Sequence, residues 1–455
     1  MRIAIANWNR RKVGGIETYL GVLIPELHRL GHALAFWSEL DQPANREPIP
    51  LPNGVPAWCV SELGVQAALA VLRDWRPDLI YAHGLLDPKL EARTLKIAPA
   101  VFCAHAYYGT CISGGKTFKF PVVTPCSRRF GWQCLVHYYP HRCGGWSPAV
   151  MLKEYQRQSA RLKVLGRYKA IVTLSDYMAS EYVKSGYPAD YVHALTPPFS
   201  NGCSHKVYEI PEAGTPAVPN GKSTIYYNSL TADRNRPYRR LLFLGRMDFL
   251  KGGHLLLEAL PRVVASVDRP LRITFAGDGV ERSDWERQAR RVKDQAQGLE
   301  IEFVGWLEGC KREALLADSD LLIMPSQWPE PFGLSGLEAG LHGVPVVAFA
   351  VGGIPEWLLD GVNGYLAPGN PPTAAGLAEA IVHVLRDPET HARLCRGATE
   401  VAARFSIKKH MDALLGIFWE TIERSTSPRN ENALRQRHRI LGNELSLVKS
   451  DDIFR

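Results

Sequence analysis

Short apolar runs alternate with longer segments of mixed polarity along most of this chain. In the first half the runs at 2–6, 33–37, 78–82, 100–104, 170–174 and 191–195 are rich in Ile, Val, Ala and aromatic residues and are strand-sized. Helically spaced segments such as IETYLGVLIPEL lie between most of them. The second half repeats the pattern, with predicted strands at 240–245, 272–276, 300–304, 321–324 and 344–349. Strand–helix alternation of this kind builds parallel, doubly wound sheets. A length of 455 residues exceeds what one hydrophobic core usually serves, so two Rossmann-like α/β domains are expected. Between them, 197–239 is rich in Pro, Gly, Asn and Ser without periodicity, which is linker chemistry. A helix is expected at 406–423, and the polar segment 424–455 is expected to be a mobile tail.

Composition narrows the class. With 46% hydrophobic and 22% charged residues the chain reads as a soluble globular protein. No apolar run approaches the roughly 20 residues needed to cross a bilayer. The opening MRIAIANWNRRK carries its charges after the apolar run, so it reads as a first strand rather than a signal peptide, and a cytoplasmic location is expected. Net charge is +8, unevenly spread: residues 90–170 hold thirteen Lys or Arg against two acids, a local +11. Such a stretch is either a solvated basic face or an attraction to a phosphate-bearing acceptor or an anionic membrane at its inner face. Nucleic acid is disfavoured, because no recognised binding motif accompanies the charge.

Two glutamates mark the candidate chemistry. In Glu330-Pro331-Phe332-Gly333-Leu334-Ser335-Gly336-Leu337-Glu338, Pro331 and Gly333 place Glu330 in a loop, while Glu338 falls about one turn into a helix beginning near Leu334. The amides around Gly333, Leu334 and Ser335 would open that helix, where an anion such as phosphate is favoured. Upstream, Arg246 and Lys251 follow an apolar strand, with Gly245 before them and Gly252-Gly253 after. Fixed cations beside a glycine-flexed backbone suit a diphosphate. Near the N-terminus Gly14-Gly15 precedes a helix and offers further amides, and His105 closes the strand AVFCA, at the kind of strand end where open sheets bind ligands. The glutamates also allow a hydrolase pair acting as acid and nucleophile, but the neighbouring phosphate features favour an activated donor.

The insert at 106–148 is unusual. Five of the nine cysteines fall within the 41 residues from Cys103 to Cys143, among many aromatics. Cys111, Cys126, Cys134 and Cys143 are zinc candidates, although their spacings of 15, 8 and 9 lack the close pairs of structural zinc sites. Small buried cysteines are the plainer alternative.

The segment EPFGLSGLEAGLHGVPVVAFAVGGIPEWLLDGVNGYLAPGN resembles the E-x7-E signature of the retaining family 4 glycosyltransferases, which have the GT-B fold. LLFLGRMDFLKGGHLLLEAL, ITFAGDG and EFVGW resemble other elements of that family, as does the N-terminal RIAIANWNRRKVGGIETYLGVLIPELHRLGHALAFWS. The resemblance implies two doubly wound domains facing a cleft. Residues 1–196 would form the acceptor domain, 240–405 the donor domain, and the helix at 406–423 would cross back to the first. It further implies sugar transfer from a UDP- or GDP-linked donor to a glycan or lipid-linked glycan, as in surface polysaccharide or lipopolysaccharide assembly, with no cofactor required. Arg246 and Lys251 would counter the leaving diphosphate, Glu338 would grip the donor ribose, and Glu330 and His105 would lie near the donor sugar. Thr196-Pro197-Pro198-Phe199-Ser200 replaces the family's usual Asn-Gly-Val-Asp turn. Asp318-Ser319-Asp320 mimics the metal-binding acidic pair of another transferase class, but reads here as a helix-to-strand turn. A sugar-nucleotide epimerase or hydrolase of the same fold, and a non-catalytic nucleotide-sugar-binding protein, are the rival readings.

Overall fold

The structure, a computed structural model, describes residues 1–198, 239–307 and 309–426. The linker assigned to 197–239 and the tail assigned to 424–455 lie almost wholly outside the described residues. Two compact units are present.

The first comprises 1–116, 126–198 and 407–426. Its sheet has seven parallel strands in the order β3-β2-β1-β4-β5-β8-β9. These are β1 (Arg2–Asn9), β2 (Ala33–Leu40), β3 (Ala57–Cys59), β4 (Leu79–Ala82), β5 (Ala100–Ala104), β8 (Ala170–Thr173) and β9 (Val192–Ala194). β4 and β5 are buried along their whole length, as unbroken apolar runs in a sheet covered on both faces should be. Each helix between strands returns the chain for another parallel pairing. Ser175, for example, starts the Asp176–Lys184 helix by accepting from the Met178 amide at 3.2 Å. The Ile407–Thr426 helix also belongs to this unit, and its Phe418 packs edge-on against Tyr81 of β4.

The second unit comprises 117–125, 239–307 and 309–406. Its parallel sheet runs β12-β11-β10-β13-β14-β15. The strands are β10 (Arg239–Leu244), β11 (Leu271–Ala276), β12 (Leu299–Gly305), β13 (Leu321–Met324), β14 (Val346–Phe349) and β15 (Gly364–Ala367). In both sheets the first strand of the unit lies beside its fourth-ranked neighbour, β1 beside β4 and β10 beside β13. Strand order reverses there, leaving a crevice at the strands' C-terminal ends.

The region read from sequence as an insert of the first domain is divided. Its ribbon, β6 (Thr117–Phe118) with β7 (Thr124–Pro125), is grouped with the second unit. Those strands pair only with each other and join neither large sheet. The flanks stay in the first unit, anchored by Lys116. Its buried ammonium meets Glu181 and also donates to the Arg128 carbonyl, both at 2.7 Å.

Candidate functional site

The charged candidates lie at the reversal point of the second sheet. After β10 the chain turns through Gly245 to Arg246, whose side chain is 73% exposed and donates to Asp248 at 2.8 Å. Asp248 also caps the short turn Phe249–Lys251, accepting from the Lys251 amide at 3.1 Å. That turn brings the Lys251 ammonium to Glu330 Oε1 at 2.5 Å, and Ser326, two residues past β13, donates to the same oxygen at 2.6 Å. Glu330 is buried, so its charge depends on these donors. Two glycines make the approach possible. Gly252 sits at φ +71, where a Cβ would stand 1.8 Å from the Pro325 carbonyl oxygen; Gly352 sits at φ +60, where a Cβ would stand 2.4 Å from the Glu330 amide nitrogen. The Gly353 amide then donates to the Glu330 carbonyl at 2.8 Å.

Gly333, Leu334 and Ser335 open the Leu334–Leu341 helix, placing their amides at its N-terminus. Glu338, buried on that helix, is bridged to the Arg312 guanidinium of the Gly309–Ala317 helix. Arg312 also faces Glu313 at 3.6 Å, and the other oxygen of Glu313 meets His342 at 2.7 Å. Lys251 and Glu330 are thus brought into contact, whereas Glu338 has its own cation. Ser326 and Arg312 were not singled out in the sequence. Ser326 was legible as the polar end of LLIMPS, but Arg312 is hidden among the charges of CKRE. Asp318 and Asp320 serve the fold: Asp318 pairs with Arg240, and Asp320 accepts the Arg240 amide at 2.8 Å.

His105 occupies a different environment, at the strand ends of the first unit. β4 and β5 both run into Ala-His, and strand alternation puts Tyr81 and His83 on one face with Cys103 and His105. The two imidazoles meet at 2.9 Å, His83 Nδ1 to His105 Nε2. Tyr19 of the Gly15–Arg29 helix stands edge-on to His105 with ring centres 5.3 Å apart. Its hydroxyl lies 2.8 Å from that of Tyr81 and 3.0 Å from His410 Nε2, while His410 Nδ1 faces the Thr196 carbonyl at 2.9 Å. A carbonyl can only accept, so His410 donates through Nδ1. Its Nε2 therefore accepts from Tyr19, and Tyr19 accepts from Tyr81.

Burial shapes the titration of this cluster. It pushes His83 well below the usual imidazole range, His410 down to about 4 and His105, half-buried by surface but ringed by protein, down to about 3. It pushes the Cys103 thiol up to about 12. The whole group is therefore neutral near pH 7. His83, Tyr19 and His410 escaped the sequence reading, although the repeated Ala-His strand ending was a usable signal.

Gly14 and Gly15 begin the neighbouring helix, but amides at Val13, Gly14 and Glu17 already donate to the Glu17 carboxylate. Burial nevertheless raises the pKa of Glu17. The loop amides offered to a phosphate on sequence grounds thus have an internal anion. Among the described residues, the group that gathers three metal-ligand atoms within 4.8 Å is His83, Cys103 and His105. Cys111, Cys126, Cys134 and Cys143 do not converge that closely. Cys111 instead accepts from the Lys116 amide at 3.3 Å.

The two units match two family models. Residues 13–198 match the model described as Glycosyltransferase Family 4, and residues 238–387 match the one described as Glycosyl transferases group 1. A glycogen synthase of Mycobacterium tuberculosis is 34% identical over 191 residues, 41% of each chain. A D-inositol 3-phosphate glycosyltransferase of Saccharomonospora viridis is 37% identical over 189 residues, 40% of this chain and 43% of that one. Each match spans less than half of the relative's length. Among solved structures, Anabaena HepE in complex with UDP and glucose superposes with a TM-score of 0.62 at 17% identity, covering 92% of this chain and 100% of that one.

Proposed function

The chain belongs to the glycosyltransferases of family 4 and group 1, with the GT-B fold, and from that premise we propose that it transfers a sugar, with retention of configuration, from a nucleoside diphosphate donor to a hydroxyl acceptor. The observation that carries this reading is the contact of Lys251 with Glu330 at the reversal point of the second sheet, beside exposed Arg246 and the helix opened by Gly333. Arg246 and Lys251 counter the negative charge that grows on the leaving diphosphate, and the amides of Leu334 and Ser335 add to that field. Glu338, which is bridged to Arg312, accepts from the ribose hydroxyls. Glu330, held through one oxygen by Lys251 and Ser326, keeps its other oxygen for the donor. For His105, kept neutral by burial, the role proposed is to accept or donate hydrogen bonds to the transferred sugar without adding charge. The leaving diphosphate helps to take the acceptor proton, and no covalent enzyme intermediate forms. Because fixed cations neutralise the diphosphate, catalysis needs no metal.

The donor is UDP- or GDP-linked; the UDP and glucose held by Anabaena HepE favour trying UDP-sugars first. The acceptor is a glycan or lipid-linked glycan used in surface polysaccharide assembly, met at the inner face of an anionic membrane. Exposed Trp132, Val136, Trp146, Val150 and Leu152 beside exposed Arg128, Arg129, Arg142 and Lys153 support this, since aromatic and basic groups together suit a lipid headgroup region. No helix among the described residues is long and apolar enough to cross a membrane.

Mass spectrometry of a nucleotide-sugar panel, with and without lipid-linked acceptors, tests the transfer. The expected product is glycosylated acceptor plus nucleoside diphosphate. Rapid donor turnover that ignores every acceptor would instead identify an epimerase or hydrolase, and donor binding without turnover a binding protein. Co-sedimentation with anionic vesicles tests the surface. Arg128→Glu with Arg129→Glu should weaken it, at roughly 1 kcal/mol per removed charge, with donor affinity unchanged.

A further inference from the structure

His83, Cys103 and His105 form a second chemically capable group that the transfer reaction does not use as a whole. Each presents one ligand atom, and the three atoms lie within 4.8 Å of one another. The convergence is built into the sheet. Cys103 and His105 are two apart near the end of β5, and His83 follows the adjacent β4, so all three point to one face. His83 and Cys103 are buried and His105 half-buried, so the group is reached past His105. Two imidazoles and one thiol, with no carboxylate, suit Zn2+ and its borderline-soft neighbours and are a poor set for Mg2+ or Ca2+.

We infer that His83, Cys103 and His105 bind a borderline-soft divalent cation such as Zn2+, and that the bound ion stops sugar transfer by occupying His105. The facing ring nitrogens now share one hydrogen across 2.9 Å. A tetrahedral ion with bonds of about 2.0–2.1 Å would hold two such nitrogens roughly 3.3 Å apart, a small opening. The displaced imidazole hydrogen moves to the other nitrogen of the same ring. On His83 that atom is Nε2, which is buried without a hydrogen-bond partner. Cys103 binds as thiolate, so one proton is released per ion. The hydroxyls of Tyr19 and Tyr81 lie close to the sulfur and remain beside it as polar neighbours. Three protein ligands leave a fourth position for water or an acceptor hydroxyl.

Titration of the metal-free full-length protein with Co2+ tests the site through its thiolate-to-cobalt absorption. The band should saturate at one ion per chain, disappear in Cys103→Ser and in His83→Asn, and survive in Cys126→Ser. In parallel, Zn2+ should inhibit transfer and a chelator should reverse it. Cys103→Ser should raise the Zn2+ concentration for half-inhibition by roughly tenfold or more. A thermal melt checks that Cys103→Ser is folded, and His83→Asn supplies the answer if it is not. An absent band, a band indifferent to both substitutions, or one lost with Cys126→Ser alone would overturn the site. The absorption is read without substrate, so it fails independently of the proposed function. An inactive protein with a Cys103-dependent band keeps the site and loses the transferase, and an active protein without the band does the reverse.

Discussion

The strand ends of the second unit are charged, those of the first are neutral, and the two are supported in different ways. In the second, each buried carboxylate has a fixed cation, Lys251 for Glu330 and Arg312 for Glu338. In the first, Tyr81, Tyr19 and His410 form one neutral hydrogen-bonded chain and His83 and His105 a second neutral pair, with the Cys103 thiol beside them. A charged site must hold its counter-charges apart from the ligand that will use them. A neutral one needs only consistent donor and acceptor directions, which the Thr196 carbonyl sets for the His410–Tyr19–Tyr81 chain.

The largest expected effect separates the cations of the charged site. Arg246→Ala and Lys251→Ala should each lower turnover by a factor of about 100 to 1000, the cost of one lost transition-state contact. Only Lys251→Ala should clearly lower the melting temperature, because it strands buried Glu330, whereas Arg246 makes an exposed ion pair with Asp248, a kind that adds little stability. Steady-state kinetics and thermal melts check both; near wild-type turnover in both variants at subsaturating donor would erase the contrast.

The next effect concerns an exception within the first unit. Glu91 is a buried carboxylate held by the hydroxyls of Tyr168 at 2.6 Å and Tyr108 at 3.1 Å, and burial pushes its pKa up from 4.5 to about 7. The folded state thus keeps a proton that the unfolded chain gives up. The stability this proton provides is full below about pH 4.5 and lost as pH rises through about 7, up to about 3 kcal/mol in all. Urea unfolding at pH 5 and pH 8 should show that loss, and Glu91→Gln should lessen it; an identical pH dependence in the variant would exclude Glu91 as the source.

Tyr19→Phe probes the neutral chain itself. It leaves His410 Nε2 buried without its donor and should cost about 1–3 kcal/mol of stability, while Lys251 and Glu330 keep their contact. An unchanged melting curve would mean that the Tyr19–His410 bond contributes nothing. The smallest expected change is in metal dependence: chelation of divalent cations should leave transfer intact or raise it slightly. Loss of activity with EDTA, restored by Mg2+, would show that the fixed cations do not suffice.

How far the sequence could be read follows the same division. Glu330, Gly333, Ser335 and Glu338 lie within nine residues, and Arg246 and Lys251 within six, so local spacing and glycine placement exposed them. The neutral cluster draws on residues from Tyr19 to His410, and no window along the chain contains it. β3 and β15 were missed because Pro56 directly precedes the first, and Gly364 and Pro368 bracket the second, so both read as turn segments. The charge count over 90–170 overstated the surface. Lys116 is closed against Glu181, Arg161 lies buried over the Tyr108 ring at 3.8 Å, and Lys119, Arg157 and Lys169 are half-buried, leaving eight of the thirteen basic residues exposed.

The bond between Tyr19 and His410 spans 391 residues of sequence. During synthesis the face of β4 that Phe418 covers, together with the Tyr19 hydroxyl, must wait while everything up to the Ile407–Thr426 helix is made. At about 5–20 residues per second the stretch between the two parts of the first unit takes tens of seconds. For that interval the first unit is a nascent domain lacking its last helix, with apolar surface that a ribosome-associated chaperone could shield. The second unit, whose sheet strands all lie within 239–406, can form its sheet as soon as they emerge. The part of the chain that is made first is therefore the part that finishes folding last.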